Sequence, residues 1–183
     1  MLLGIVLNGS YYGTVFILSL YLQNVLHYSS LTAGMAFLPL TAGFIIANLI
    51  SGKLMAKYGT RVPILIGLVI SITGFTCLLI AHANTPYWQL FIPFITIPTG
   101  MGLAVPAMTT GILATVTKTR SGTASAVLNT TRQAAGAIGV AIFGAMANGG
   151  AIAIVHAITI SAVISAAGIL CVLLLIRKYL KTA

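Results

Sequence analysis

The sequence predicts an all-α membrane protein of six transmembrane helices, and three observations carry that reading. Of 183 residues, 59% are apolar and only 5% are charged, far outside the range of water-soluble domains. The apolar residues fall into six long runs separated by short breaks. Eight of the nine Lys and Arg cluster at every second break, Arg132 standing apart, and no Asp or Glu occurs anywhere. Lys53, Lys57 and Arg61 form one group, Lys118 and Arg120 a second, and Arg177, Lys178 and Lys181 a third. The breaks between them, His27-Tyr28-Ser29-Ser30, Ala83-Asn84-Thr85-Pro86 and Asn148-Gly149-Gly150, carry no Lys or Arg. Cytoplasmic loops concentrate Lys and Arg, so the charged breaks are expected inside, with the C-terminus in the cytoplasm of a plasma-membrane protein.

A helix needs about 20 mostly apolar residues to cross the hydrocarbon core. Six segments meet that need, at about 2–26, 32–56, 62–83, 88–115, 122–147 and 151–176, forming one transmembrane domain over residues 1–183. Met1 runs into apolar sequence with no basic region before it, so segment one is expected to be a retained span. It carries Asn8, Tyr12, Ser19 and Gln23 on one helical face, which lipid would penalise and which is therefore expected to point into protein or an aqueous path. Segment two repeats this weakly with Thr41, Asn48 and Gly52. Segment four holds Met101 and is interrupted by Pro93, Pro98 and Pro106, each lacking a backbone donor, so it is expected to bend and to line a cavity or move. Tyr87 and Trp88 mark its outer interface.

Segment five places Ser125, Asn129, Arg132 and Gly136 on one face, with Gln133 beside them. Counted from Gly122, Arg132 lies about 15 Å along the axis. A charge at the bilayer centre costs from about 2.5–3.5 to about 10–17 kcal/mol, so Arg132 must face protein or water, or snorkel to the inner headgroups. This chain holds no acid to pair with it. Gly136, Val140 and Gly144 on segment five, and Ser161, Ser165 and Gly168 on segment six, are expected to let helices approach closely.

Cys77 and Cys171 lie inside apolar runs and read as small hydrophobes, and no metal-ligand spacing, cofactor motif, nucleophile–base pair or phosphate loop is present. That argues against an enzyme, a metal site and a cofactor. Eight of the nine charges behind the net +9 sit at helix ends rather than on one exposed face, which argues for lipid headgroups and against nucleic acid as a partner. His156 lies a few residues into segment six, and a lone histidine there is read as a satisfied polar residue.

Several runs resemble the major facilitator superfamily, and within it the fourteen-helix drug:proton antiporter branch. Tyr21-Leu22-Gln23, a short outer turn and Ala33-Gly34-Met35-Ala36-Phe37-Leu38-Pro39 look like the start of that branch's C-terminal half. Gly52-Lys53-Leu54-Met55-Ala56-Lys57-Tyr58-Gly59-Thr60-Arg61 resembles the inner-loop signature, with Gly52, Lys57, Gly59 and Arg61 at its marked positions. The most specific run is Ser121-Gly122-Thr123-Ala124-Ser125, then Asn129-Thr130-Thr131-Arg132-Gln133, Gly136 and Gly139-Val140-Ala141. The resemblance covers essentially the whole chain. It implies half of a transporter built from two inverted three-helix repeats, with segments one, two, four and five around a central path. It further implies proton-coupled efflux of hydrophobic small molecules by alternating access, together with an N-terminal half that this chain lacks. Asn8, Tyr12, Gln23, Asn48, Met101, Asn129, Arg132 and Gln133 are then the substrate-path candidates. Two features depart from the branch: Ala56 stands where the signature often has an acid, and the turn between segments five and six is short. The alternatives are a non-transporting membrane module or degenerate remnant packed on another membrane protein, or a homodimer that transports by itself.

Overall fold

The computed structural model describes residues 1–82 and 85–181, the last six of these by backbone alone. Ala83 and Asn84 of one uncharged turn, and the side chains of Arg177, Lys178 and Lys181, which make up the third charge group, lie outside the described residues. The chain is helical almost throughout: α1 (Leu2–Leu20), α2 (Ser30–Ala36), α3 (Leu38–Tyr58), α4 (Arg61–Cys77), α5 (Tyr87–Leu113), α6 (Ser121–Met146) and α7 (Ala151–Lys181). A helix occupies each of the six apolar segments, α2 and α3 sharing the second. Five helical stretches, Leu2–Val25, Ser30–Tyr58, Arg61–Ile80, Tyr87–Leu113 and Ala151–Leu175, are long and apolar enough to cross a membrane. α6 is long enough at 26 residues, but its Ser, Thr, Asn, Gln and Arg side chains keep it out of that set.

Local chemistry explains the ends. Ser29 caps α2, its hydroxyl accepting the Thr32 N–H at 3.2 Å. The second segment is not one helix, because Pro39 cannot supply a backbone donor in the first turn of α3 and the chain steps at Phe37. Gly59, at φ 73°, turns the chain between α3 and α4 while its N–H bonds the Met55 carbonyl. α1 ends in a π-helical turn, Tyr21–Val25.

α5 is helical for 27 residues through Pro93, Pro98 and Pro106. It is the most enclosed of the membrane-length helices, lying between α3 and α4, and non-ideal backbone is tolerated at membrane depth where protein surrounds it. Ser51 of α3, fully buried, donates its hydroxyl to the Leu103 carbonyl at 2.8 Å, next to the carbonyl that Pro106 leaves without its donor.

Two crossings hold the bundle. α1 runs parallel to α6, and α3 runs parallel to α5, to closely the same extent; α4 lies antiparallel on α5, as α7 lies on α1. Exchanging the first three long helices for the last three therefore preserves the pattern of partners. Three helices joined by short turns end on the side opposite their start, so the second unit sits inverted relative to the first. Both crossings depend on glycine. At Gly102 of α5 a Cβ would lie 2.7 Å from the Phe44 carbonyl oxygen of α3, and at Gly139 it would overlap that of Gly9. Such close backbone approach is what joins helices where lipid removes the usual hydrophobic drive.

The helix ends opposite the charged breaks are tied by two tyrosines. Tyr21, wholly buried, donates its hydroxyl to the His82 carbonyl at 2.6 Å, and Tyr87 donates to the Ala36 carbonyl at 2.7 Å. Tyr21→Phe is expected to lower stability by about 1 kcal/mol, because it removes one buried hydrogen bond and keeps the ring. Thermal unfolding in detergent measures it; an unchanged midpoint would show that the Tyr21 hydroxyl contributes nothing. Outward-facing Ile45, Ile46, Leu49 and Ile50 of α3, with Ile160, Val163 and Ile164 of α7, give the bundle an apolar exterior suited to lipid.

A polar cavity between α1 and α6

Asn8, Tyr12, Asn129, Arg132, Gln133, Gly136, Ala137 and Val140 line a cavity of about 360 Å3 between α1 and α6. The parallel crossing creates it. Gly9 and Gly13 bring α1 against Gly139 of α6, and the polar faces on one side of that contact are left opposite each other. The Tyr12 ring fills the notch at Gly136, and the Phe16 ring fills the one at Gly144. The small residues of α6 thus seat aromatic rings of α1, while the backbone contact itself falls at Gly139.

Arg132 is held from beneath. Its stem crosses Gly4, where a Cβ would stand 3.4 Å from Arg132 Cγ and 3.2 Å from Met108 Cε. Nε of Arg132 is sealed from solvent with no hydrogen-bond partner. Asn8, 2% exposed, commits its amide N–H to the Gly4 carbonyl at 2.7 Å. Among the described residues no side-chain hydrogen bond engages Tyr12, Asn129 or Gln133, and all three are exposed on the open side of the cavity.

The other path candidates lie apart. Gln23 sits on the π turn and donates to Ser19, to its carbonyl at 3.2 Å and its hydroxyl at 3.0 Å. Asn48 bonds the Phe44 carbonyl of its own helix at 2.8 Å. Met101 is a core residue of α5, 3% exposed. Pro93 and Pro98 are buried and Pro106 is half-buried, none of them on this cavity. The inner-loop residues Gly52, Lys57, Gly59 and Arg61 are exposed at the far end of α3, with Lys57 Nζ 5.1 Å from the Tyr58 ring centre. His156 is exposed on α7, away from the cavity. Sequence reasoning missed Gly4 and Met108, whose part is to seat the arginine; a glycine and a methionine in apolar helices carry no polar signal.

Residues 1–140 match the profile described as Major Facilitator Superfamily. The chain is 34% identical over 143 residues to a methylenomycin A resistance protein of Bacillus subtilis (strain 168), covering 78% of this chain and 31% of that protein. It is 34% identical over 143 residues to the puromycin resistance protein pur8 of Streptomyces alboniger, covering 75% and 28% respectively. It is 32% identical over 141 residues to the drug efflux pump JefA of Mycobacterium tuberculosis (strain ATCC 25618 / H37Rv), covering 76% and 27%. The chain thus spans about a third or less of the length of these curated relatives. With a matched region that includes both walls of the α1–α6 cavity, this multi-pass membrane chain belongs to the Major Facilitator Superfamily.

Proposed function

We propose that this chain forms part of a secondary active exporter of hydrophobic small molecules, with the α1–α6 cavity as one wall of the transport path. The observation that carries the reading is the cavity: a polar recess, open on one side, walled by Asn8, Tyr12, Asn129, Arg132 and Gln133 in an otherwise apolar bundle. The relatives' names, which record antibiotic resistance and drug efflux, support the same reading. Six crossings, a cytoplasmic C-terminus, a location in the plasma membrane and alternating access by rocking of helix bundles belong to this proposal. So does proton coupling through acids that this chain lacks, supplied by an N-terminal half within a longer chain or in a separate protein.

The test is efflux. The full native product, expressed in cells stripped of their major exporters, is expected to raise resistance to at least one hydrophobic antibiotic and to expel a lipophilic dye when a proton gradient is present. Asn129→Leu, which removes an exposed polar wall residue without touching the helix contact, is expected to cut that efflux about tenfold or more. A well-inserted native product with gradient-independent dye retention would overturn the reading.

A further inference from the structure

We propose that the α1–α6 cavity binds the carboxylate of an amphiphilic organic acid, gripped by the Arg132 guanidinium; this rests on reading the cavity as part of a transport path. The guanidinium stays charged in proteins, and a charge at membrane depth must be met by an opposite one or by water. No Asp or Glu exists in this chain to meet it. Its Nε is sealed and unpaired, and no hydrogen bond among the described residues uses either terminal nitrogen. The stem, lying over Gly4 beside Met108, fixes where the head group is presented.

The surroundings select the anion. Tyr12, Asn129 and Gln133 add hydroxyl and amide donors on the same wall, and none is spent on another side chain. A carboxylate matches the planar fork of an arginine with two parallel bonds and leaves lone pairs for such neighbours. A cation in the same place would meet permanent like charge. Beside it lies a mostly apolar surface: at Val140 the cavity meets a second recess lined by Phe16, Leu20, Ala141, Gly144 and Ala145, with Asn148 as its one polar side chain. A guest with its acid at Arg132 and its hydrocarbon along Phe16 and Leu20 satisfies both.

The experiment uses the full native product in nanodiscs of neutral phosphatidylcholine, which removes anionic headgroups as competitors. Binding of radiolabelled 1-naphthaleneacetate is compared with that of its neutral amide. The native protein is expected to bind the acid about tenfold or more tighter than the amide. Arg132→Gln is expected to make the two equal while changing the amide's affinity little, and Arg132→Lys to restore the preference in part. Asn129→Asp, one turn from Arg132, supplies the missing anion from within and is expected to abolish the preference with the protein fully folded. Equal binding of acid and amide by the native protein overturns the proposal, as does a preference that survives Asn129→Asp or a folded Arg132→Gln. A protein that expels a neutral dye yet shows no acid preference would keep the exporter reading and remove this one.

Discussion

Gly139→Ala is expected to destabilise the bundle by an amount at or beyond the upper end of the usual overpacking range, about 1–3 kcal/mol. The new methyl group would overlap the Gly9 carbonyl oxygen and stand 2.7 Å from its carbon and 2.8 Å from its Cα. Those are backbone atoms of a packed helix, so no rotamer change relieves the clash, and α1 must move away from α6. Gly34→Ala is the control, because nothing stands within 4 Å of the added atom there. Thermal unfolding of the purified protein should separate the two variants clearly. Because the same crossing aligns Tyr12 with Gly136 and Arg132 with Gly4, Gly139→Ala is also expected to abolish cavity-dependent binding. A midpoint equal to that of the Gly34 variant would mean that the α1–α6 contact is looser than described and that the cavity walls are not fixed by it.

That crossing shows what the sequence made legible and what it did not. The all-α class, the place of each long helix and the charged breaks follow from composition and run length, because lipid forces backbone bonds to close within each helix. The polar faces of segments one and five were equally visible, since Asn8–Tyr12 and Asn129–Arg132–Gln133 repeat at helical spacing. Spacing names a face but not its partner. Gln23, on the π turn Tyr21–Val25, donates to Ser19 one turn before it and lies beyond the end of the cavity. Prolines act according to their surroundings. Three of them in α5 leave the helix intact where α3 and α4 enclose it, while the single Pro39 separates α2 from α3 on the face with fewest neighbours. Local propensity decided the exposed case and tertiary packing the enclosed one. Gly136 and Gly144 were legible as places of close approach, but only the fold shows that rings occupy them and that the backbones meet at Gly139.

Taken out of the protein, α6 is expected to insert poorly as a membrane span, and Arg132→Leu to make it insert well. α6 is the one helix of the six segments that falls outside the set apolar enough to cross by itself. A central arginine accounts for about 2.5–3.5 kcal/mol against insertion and a leucine for about 0.3–0.6 in favour, so the exchange is expected to shift the apparent equilibrium by about 3–4 kcal/mol, over a hundredfold. Glycosylation sites placed on either side of the segment in an insertion reporter read that shift directly. Within the whole chain the segment is expected to cross anyway, because α1 covers Ala135, Gly136 and Gly139 and offers Arg132 a cavity in place of lipid. Cysteine labelling at Thr119 and Asn148 then reports opposite sides of the membrane, and Gly139→Ala, by loosening α1, is expected to expose both to the same side in part of the population. If isolated α6 inserts fully with Arg132 in place, its polar face needs no partner and the coupling of cavity to topology fails. If it inserts only beside α1, the helix that carries the polar face of the path is also the one whose crossing depends on the path being assembled.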